Sequence, residues 1–523
     1  MLRSIPTLRT GDFEIDRAFR IAIGDCCGNV LHYQSGLLNR PEPCLVAGLS
    51  YPDPWTRDAA FNTWNGAGLL MPSLRKGLNK NERQPYNKLG DSFNALKKSA
   101  LMSQLFTFES LVSRCELNSV PAEWPGLWEA FQKTTPDSSF SLDATFTAEV
   151  CAFCQFSDEI VSLLQETASQ VRRNPLLETA TRFLFAQFHS TPPPDYQTIA
   201  AWPFVAQPLD PPISLIPALA LLAGVSGIRQ AHASRRIPES VTRSTLFDME
   251  VWIRTFHRQH RKWGLSELNW LSHHWNGRLF RIGRLQFMRG NFPDTVRVFK
   301  RITTGQILAF AEPGQTRYRR DGLADGTQDV FDSQAWSPTL EITSTTLSGH
   351  PVNPLGYVNP KPVSLPSAEW IQILAPGDPM LDMHIPEGGA MEFEACGKSM
   401  REALVFFDTH FPEKPAAKTF FCKTWFFDWQ FQQILPPTSN IVLVQREFYR
   451  YPIVSNEKEA FRRIFGGMPE NLHAAPRDTS LRRAVLDFTL AGNHLRCAAG
   501  FRLVDAPAWG CAPYQTQPVD FNK

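Results

Sequence analysis

The chain has 523 residues, of which 43% are hydrophobic and 12% aromatic, so it can bury several cores and about two to four domains are expected. Its formal net charge is only +2, because 53 Lys and Arg nearly balance 51 Asp and Glu. That balance excludes a whole-chain field that would favour nucleic acid or an anionic membrane as partner. Residues 1–13 lack the apolar stretch of a signal peptide, and the longest apolar run, 213–223, is about half the length that spans a bilayer. We therefore expect a cytoplasmic protein.

Residues 1–96 are predicted to form a region of their own, which the basic, polar stretch 75–83 separates from the rest of the chain. Its densest segment, 51–65, reads Tyr-Pro-Asp-Pro-Trp-Thr-Arg-Asp-Ala-Ala-Phe-Asn-Thr-Trp-Asn and resembles the opening of (α/α)6-barrel glycosidases of the glucoamylase and trehalase kind. The resemblance covers about residues 13–72. It implies that Trp55, Arg57 and Asp58 line a sugar subsite.

A purely structural interpretation of the same segment, without sugar binding, remains an alternative. Arg57 and Asp58 would then be a local ion pair inside a tryptophan-rich packing cluster, and such pairs commonly contribute little. A glycosidase also needs two opposed carboxylates set by a complete barrel, for which this region is too short. We therefore expect a glycosidase-like fragment without hydrolase activity.

Residues 99–270 are predicted to be helical throughout, because apolar residues recur three and four positions apart, over 101–117, 146–164 and 176–188. A last helix is expected to begin at Pro238-Glu239 and to end in the basic run 257–262. We interpret that run as a solvated face that complements the negative end of the helix dipole.

The 10 cysteines are scattered, as is typical of reduced, structural thiols. Cys151 and Cys154 form a Cys-x-x-Cys motif without a second pair or suitably spaced histidines. We expect these two thiols to pack inside a helix, and we predict no metal site.

From about residue 271 the period changes to that of strands, which are predicted over 279–287, 340–344 and 370–374. The next elements are predicted in this order: a strand at 379–385, a Gly-Gly turn at 386–390, a helix at 392–411, a strand at 419–425, a short helix at 428–435 and a strand at 440–449. Helices at 459–465 and 480–490 and a strand near 501–504 are expected to form a C-terminal extension, 456–523. A strand that enters a glycine-rich turn and a helix N-terminus is an anion site on physical grounds, because free backbone N–H groups converge there. Taken in isolation, the two glycines are more often only a tight connection between strand and helix.

This order resembles the second half of the GNAT acyltransferase fold. More closely, the chain resembles a bacterial acyltransferase group that joins an all-helical N-terminal domain to a GNAT-like C-terminal domain. The segments that carry this likeness are Leu279-Phe-Arg-Ile-Gly-Arg-Leu-Gln-Phe287, His384-Ile-Pro-Glu-Gly-Gly389, Phe411-Pro412, Ser439-Asn-Ile-Val442 with Gln445-Arg446, and Pro476-Arg-Asp-Thr-Ser-Leu481. The resemblance spans about residues 99–504 and implies that acyl-coenzyme A is bound as substrate.

The phosphate-binding loop departs from the family pattern. That pattern places Gln or Arg first, then Gly at the fourth position and Gly or Ala at the sixth, whereas residues 385–390 read Ile-Pro-Glu-Gly-Gly-Ala. The polar or basic first residue is absent, and Glu387 puts a carboxylate beside the expected phosphate. The resemblance still assigns coenzyme A binding to Gly388, Gly389 and Ala390, with Arg446 as a phosphate partner.

In the GNAT mechanism a base removes the proton of an attacking amine, and an acid near the fifth strand protonates the departing thiolate. His384 and Glu387 are the candidate bases; His384 could equally be a core histidine, and Glu387 could cap the next helix. Cys422 and Tyr449 are the candidate acids, or else buried core residues.

The sequence thus predicts an α+β multidomain protein, with regions 1–96 (glycosidase-like fragment), 99–270 (all-helical), 271–455 (GNAT-like) and 456–523 (helical extension). The predicted function is acyl transfer from acyl-coenzyme A to an unidentified acceptor, often an amine in such folds. A carbohydrate-active protein and a non-catalytic GNAT-like binding module are the alternatives.

Overall fold

The computed structural model describes residues 106–134, 137, 140–206, 208–293 and 295–515, together with two strands closer to the N-terminus. The chain divides into two compact units, residues 1–98 and 99–523. In the first unit, β1 (Val30–Tyr33) pairs antiparallel with β2 (Glu42–Leu45). The predicted sugar-subsite residues Trp55, Arg57 and Asp58 lie outside the described residues.

The second unit begins with helices, as the sequence predicts. Their bounds are α1 (Phe108–Arg114), α2 (Trp124–Gln132), α3 (Ala144–Phe153), α4 (Asp158–Arg173), α5 (Pro175–Phe188), α6 (Tyr196–Ala200), α7 (Pro203–Ala206), α8 (Ile216–Ser234), α9 (Glu239–Leu246), α10 (Asp248–His260) and α11 (Leu268–Trp275).

The junction of α4 and α5 shows how local chemistry sets these bounds. Helix α4 has Asp158 and Glu159 in its first turn and Arg172 and Arg173 in its last, which complements the helix dipole. Asn174 then accepts hydrogen bonds from the first amides of α5, and Pro175 occupies the first helical position, where no N–H is needed.

Helix α8 is the central helix of this helical core, and its first ten residues are buried all round. The segment Ile213–Ser234 is long and apolar enough to cross a membrane by length and composition, but 72% of its most apolar window is buried in the protein. A core helix meets the same criterion, and the surrounding helices account for its apolar character.

Two long helical patterns are each divided in the structure. The pattern 146–164 forms α3 and α4, separated at Gln155 with φ +59°. The helix expected from Pro238 forms α9 and α10, which meet at Phe247. The Cys-x-x-Cys thiols lie at the end of α3, where both are fully buried, and burial raises the pKa of Cys151 to about 12.

The remainder of the second unit is built from strands with helices between them. The strands are β3 (Leu279–Ile282), β4 (Leu285–Asn291), β5 (Val296–Arg301), β6 (Ile307–Ala311), β7 (Leu340–Ile342), β8 (Thr346–Gly349), β9 (Pro351–Asn353), β10 (Tyr357–Val358), β11 (Val363–Pro366), β12 (Trp370–Leu374), β13 (Pro379–His384), β14 (Thr419–Thr424), β15 (Tyr449–Pro452) and β16 (Ala498–Leu503). The helices are α12 (Phe393–His410), α13 (Phe431–Ile434), α14 (Asn440–Arg446), α15 (Lys458–Phe465) and α16 (Ser480–Leu490).

The main sheet has six strands in the order β15-β16-β14-β13-β4-β3, and only the pair β13 and β14 is parallel. Helix α12 packs on one face of this sheet, where Met400, Ala403 and Phe407 meet Phe287 and Leu381. The segment between β4 and β13 forms two further sheets, ordered β10-β9-β6-β5-β12 and β11-β8-β7. The predicted strand, Gly-Gly turn, helix and strand over 379–425 are therefore confirmed.

The predicted strand 279–287 is instead a hairpin of β3 and β4. Gly283, with φ +60°, makes the turn, a backbone conformation that favours glycine. The alternation of apolar and polar residues continues through both strands and does not mark the turn.

The predicted strand 440–449 is wrong, because residues 440–446 form α14 and the strand begins only at Tyr449. A short apolar run with β-branched residues fits a strand or a buried helix equally well, and the tertiary context decides. Here the place beside β14 is taken by β16, which pairs with β14 along its whole length. The region 456–523, predicted as a helical extension, therefore supplies a strand to the main sheet.

Candidate active site

Strands β13 and β14 separate to form a V-shaped gap in the middle of the main sheet. Their parallel pairing covers only 380–382 with 419–421. Beyond that point β13 stays paired to β4 as far as His384 with Gln286, and β14 stays paired to β16 as far as Thr424 with Ala498. Each strand is thus held on its outer side, so the gap is a fixed feature and not a frayed end.

A cavity of about 1360 Å³ opens at this gap. Its walls come from the diverging ends of β13 and β14, the loop between β13 and α12, the helices α10 and α11 of the helical core, and the helices α15 and α16. Ligand pockets commonly measure about 300–1,000 Å³. This cavity is therefore large enough for a long ligand together with a second molecule.

The loop between β13 and α12 forms one edge of the cavity through Pro386, Glu387, Gly388 and Gly389. The two glycines have φ of +87° and +77°. Their backbone amides have no hydrogen-bond acceptor among the residues that the structure describes. Free amides shortly before a helix N-terminus are the arrangement that the sequence predicts for an anion site.

Arg284, in the hairpin turn between β3 and β4, fixes the shape of this loop. Its guanidinium donates hydrogen bonds to the carbonyls of Pro386, Gly389 and Ala390 at 3.2, 3.0 and 2.9 Å. Its backbone amide donates to Ser399 Oγ on α12 at 2.8 Å. With the loop carbonyls bound on this side, the loop is held in one conformation.

His384, a predicted base, lies on β13 at the mouth of the gap and lines the cavity. Its Nε2 is 3.2 Å from Oδ2 of Asp382, two residues earlier on the same face of the strand. The ring of Trp270 meets the imidazole edge to face, with centroids 4.7 Å apart. His384 is therefore a partly exposed imidazole that packs against an indole. Its Nε2 is buried beside the Asp382 carboxylate and makes no hydrogen bond to any residue that the structure describes.

Glu387, the other predicted base, is already engaged by the helical core. Its Oε1 pairs with the guanidinium of Arg258, and its Oε2 accepts a hydrogen bond of 3.1 Å from Thr255 Oγ1. Both of its oxygens have partners, which makes it a weaker candidate than His384 for taking a proton. The run 257–262 is consequently not a purely solvated face, because Arg258 points at the site.

The two predicted acids lie in different places. Cys422 lines the cavity on β14, but it shares a core with Met383 and α12, and burial raises the pKa of its thiol well above the ordinary value. Tyr449 is not part of the cavity wall. Its hydroxyl donates to the carbonyl of Val352 at 2.5 Å and accepts from the amide of Ala309 at 3.2 Å, between the main sheet and the five-stranded sheet. Burial raises the pKa of Tyr449 as well.

The predicted phosphate partner Arg446 is on α14, not on a strand, and it is not part of the cavity wall. Ala390 contributes its carbonyl to the contact with Arg284. Of the predicted residues, the structure brings His384, Glu387, Gly388, Gly389 and Cys422 to one cavity.

The comparisons with known proteins agree with this geometry. Residues 279–502 match the family described as the GNAT-like C-terminal domain, and residues 145–277 match the N-acyltransferase N-terminal domain. The chain is a GNAT-like acyltransferase. Neither match covers the N-terminal region for which a glycosidase-like fragment is predicted.

Three solved structures of acyltransferases resemble this acyltransferase in fold. One is a mutant in complex with octanoyl-CoA, one is in complex with decanoyl-CoA and teicoplanin, and one is in complex with CoA and 10C-teicoplanin, with TM-scores of 0.52, 0.51 and 0.50. Each is 18% identical to the chain, and the alignment covers 76% of the chain and 99% of the solved protein. No curated protein matches the chain significantly.

In this acyltransferase a buried polar cluster, which sequence patterns do not reveal, lies behind His384. Asp248 Oδ2 is 3.1 Å from His274 Nε2 and accepts a hydrogen bond of 3.1 Å from Trp252 Nε1, while Gln286 Nε2 is 3.3 Å from the same histidine nitrogen. Burial raises the pKa of Asp248, but the hydrogen bond and charge of His274 outweigh burial, so the net pKa lies below its ordinary value.

Trp270 connects this cluster to His384, since its ring also meets His273 and His274 at centroid distances of 5.5 and 5.9 Å. Burial lowers the pKa of His273 to about 4, so that histidine is neutral near pH 7. The acyltransferase therefore places its candidate base where the helical core meets the main sheet.

Proposed function

We propose that this acyltransferase moves an acyl group from acyl-coenzyme A to an amine, with the thioester carbonyl at the gap between β13 and β14. The observation that carries the proposal is the separation of two parallel strands that both keep their outer partners. Among the residues that the structure describes, none pairs with the strand edges that face the gap beyond Asp382 and Phe421. Such edges can bind the amides of an extended pantetheine arm as an added strand would be bound.

The residues around the gap fit coenzyme A as substrate. The free amides of Gly388 and Gly389 and the adjoining N-terminus of α12 suit its pyrophosphate. The cavity has room for the acyl group and for the acceptor in addition. The solved acyltransferases with this fold are complexes with octanoyl-CoA, decanoyl-CoA or CoA, which supports the same assignment.

His384 is the residue of this chain best placed to act as general base. Its imidazole takes a proton from the amine as the amine nitrogen attacks the thioester carbonyl carbon; a C–N bond forms, the C–S bond breaks, and coenzyme A leaves as thiolate. The carboxylate of Asp382, 3.2 Å from Nε2, stabilises the imidazolium that results by its negative charge. Because burial raises the pKa of Cys422, that thiol is a poor acid, and the imidazolium of His384 is the better donor of a proton to the thiolate.

Calorimetric titration of the full chain with octanoyl-CoA, acetyl-CoA and free CoA tests the proposed function. We expect saturable binding of all three and release of free thiol when an amine acceptor is present. Absence of heat at millimolar octanoyl-CoA would overturn it. Binding of octanoyl-CoA without release of thiol to any amine of a broad panel would favour the non-catalytic binding module.

Replacing Gly388 with valine is expected to weaken the binding of CoA at least about tenfold, because a β-branched residue is strained at φ +87° by roughly 1–2 kcal/mol or more and turns the loop amides away. Gly377 is the matched control. It has φ +85°, lies at the opposite end of β13, and a side chain there would meet no atom within 4 Å. Gly377→Val carries the same backbone strain, so equal weakening in both variants would contradict the assignment of the loop.

A further inference from the structure

The phosphate-binding loop of this acyltransferase contains no basic residue, yet a guanidinium reaches it from the helical core. Residues 385–391 read Ile-Pro-Glu-Gly-Gly-Ala-Met, and Glu387 is the charged residue among them. Arg258, on the last turn of α10, forms an ion pair with Glu387 and lines the cavity. The loop therefore has a positive charge beside it, which comes from Arg258 on α10 and not from the sequence of the loop itself.

The contacts of Arg258 orient it toward the loop. Its Nη2 donates a hydrogen bond of 2.7 Å to Thr255 Oγ1, one turn earlier on α10. The single proton of that hydroxyl is shared between the carbonyl of Val251 at 2.8 Å and Glu387 Oε2 at 3.1 Å. The ion pair with Arg258 is therefore the main contact of the Glu387 carboxylate. Thr255 holds the guanidinium beside Glu387, which is itself a residue of the loop.

The ion pair is exposed enough to exchange partners. The side chain of Arg258 is 55% and that of Glu387 is 38% exposed. Ion pairs in contact with water contribute little, typically less than about 1 kcal/mol. The pyrophosphate of coenzyme A carries two negative charges and more acceptor oxygens than a carboxylate, so it competes well for the same guanidinium.

The other arginines that line the cavity are bound to groups outside the loop or to its carbonyls. Arg462 and Arg463 pair with Glu459, Arg482 pairs with Asp478, and Arg284 is bound to the loop carbonyls. An anion at the loop amides would displace none of those partners, but it would meet Glu387 directly. Arg258 is distinguished because its carboxylate partner is part of the loop itself.

We propose that Arg258 binds the pyrophosphate of coenzyme A and that Glu387 occupies Arg258 until the pyrophosphate displaces it. This inference rests on the proposed function, since it assumes that coenzyme A binds at the loop. Glu387 is then an internal competitor and not the base. The helical core takes part in binding the donor substrate, because Arg258 lies on α10 whereas the amides lie between β13 and α12.

Titration of CoA, dephospho-CoA and pantetheine into wild type and Arg258→Gln separates the contribution of the pyrophosphate to binding from that of the pantetheine arm. A charge-assisted contact to phosphate is expected to be worth about tenfold to one hundredfold in Kd. Arg258→Gln should weaken CoA and dephospho-CoA by the same factor, because both carry the pyrophosphate, and should leave pantetheine unchanged. Arg261→Gln is the matched control, since Arg261 is an exposed residue at the end of the same helix and is not part of the cavity wall.

Glu387→Gln is expected to tighten the binding of CoA by about two- to tenfold, because the competing charge is removed while a side chain of equal size remains. Unchanged or weaker binding in Glu387→Gln, or an equal loss of all three ligands in Arg258→Gln, would overturn the inference. If wild type binds none of the three ligands, the proposed function itself fails. If wild type binds CoA and Arg258→Gln binds it equally well, only the role of Arg258 fails.

Discussion

Replacing His384 with alanine is expected to lower kcat by about 10²- to 10⁴-fold and to leave the Kd of octanoyl-CoA within about threefold, because the imidazole acts on the amine and not on the donor. Thiol release measured with a chromogenic disulfide gives kcat, and calorimetry gives Kd. His384 projects from the end of a paired strand at the surface of the gap. Its loss should therefore leave the fold intact, which circular dichroism can verify.

The control for His384→Ala is His273→Asn. His273 lies on α11 and stacks on Tyr196 with ring centroids 5.6 Å apart, and it also contacts Trp270, but it is not part of the cavity wall. With its pKa lowered to about 4 by burial, it is already neutral at assay pH. Its replacement should change kcat by less than about tenfold. A kcat for His384→Ala within that same margin would show that another group, or water, removes the proton.

Replacing Asp248 with alanine is expected to lower the free energy of unfolding by about 3–5 kcal/mol, because it leaves two buried groups, the imidazole of His274 and the indole N–H of Trp252, without their acceptor. The side chains of Asp248 and His274 are only 2% and 0% exposed, so the pair is shielded from water in the folded protein. Urea denaturation should show a lower midpoint with an unchanged slope. Asp487→Ala removes a carboxylate that is 66% exposed and paired with Arg477, and should cost less than about 1 kcal/mol.

The lowered pKa of Asp248 sets the direction in which the free energy of unfolding changes with pH. A carboxylate whose pKa is depressed on folding contributes stability that is fully present above its unfolded value of about 3.9. That contribution is lost as the pH falls through the lower, folded value. The difference in stability between wild type and Asp248→Ala should therefore be constant near pH 7 and shrink below about pH 4. A difference that does not shrink as the pH is lowered from 5 to 2 would contradict this assignment.

Local patterns predict the centre of the main sheet well. The Gly-Gly turn and Pro412 mark the ends of α12, and the apolar stripe of that helix matches the face that packs on the sheet. The same patterns fail at 440–449, because Ile441, Val442, Leu443 and Val444 form an unbroken apolar run without a period. Only the pairing of β16 with β14, which no local pattern contains, decides that this run is a helix.

The sequence predicts only the part of the candidate site that lies on β13 and on the loop after it. His384 is indicated by its position before the glycines, and Asp382 could have been found, since residues two apart on a strand share a face. Trp270 and Arg258 come from other helices, and their sequence neighbourhoods resemble ordinary helix surface. Tyr449 would border the site only if its strand lay beside β14, whereas β16 lies between them.

The late position of β16 in the chain has a consequence for biosynthesis. Strand β14, one wall of the gap, is held on its outer side by β16, which the ribosome makes only after α13, α14, β15, α15 and α16. A nascent chain that has emerged as far as Pro452 contains β13 and β14, the two walls of the gap. It does not yet contain β16, the strand that pairs with β14 on the side away from the gap. We therefore expect the candidate site to be completed late in translation, through a contact of long sequence separation that forms slowly. A product terminated before Ala498 would retain a complete helical core and no formed site.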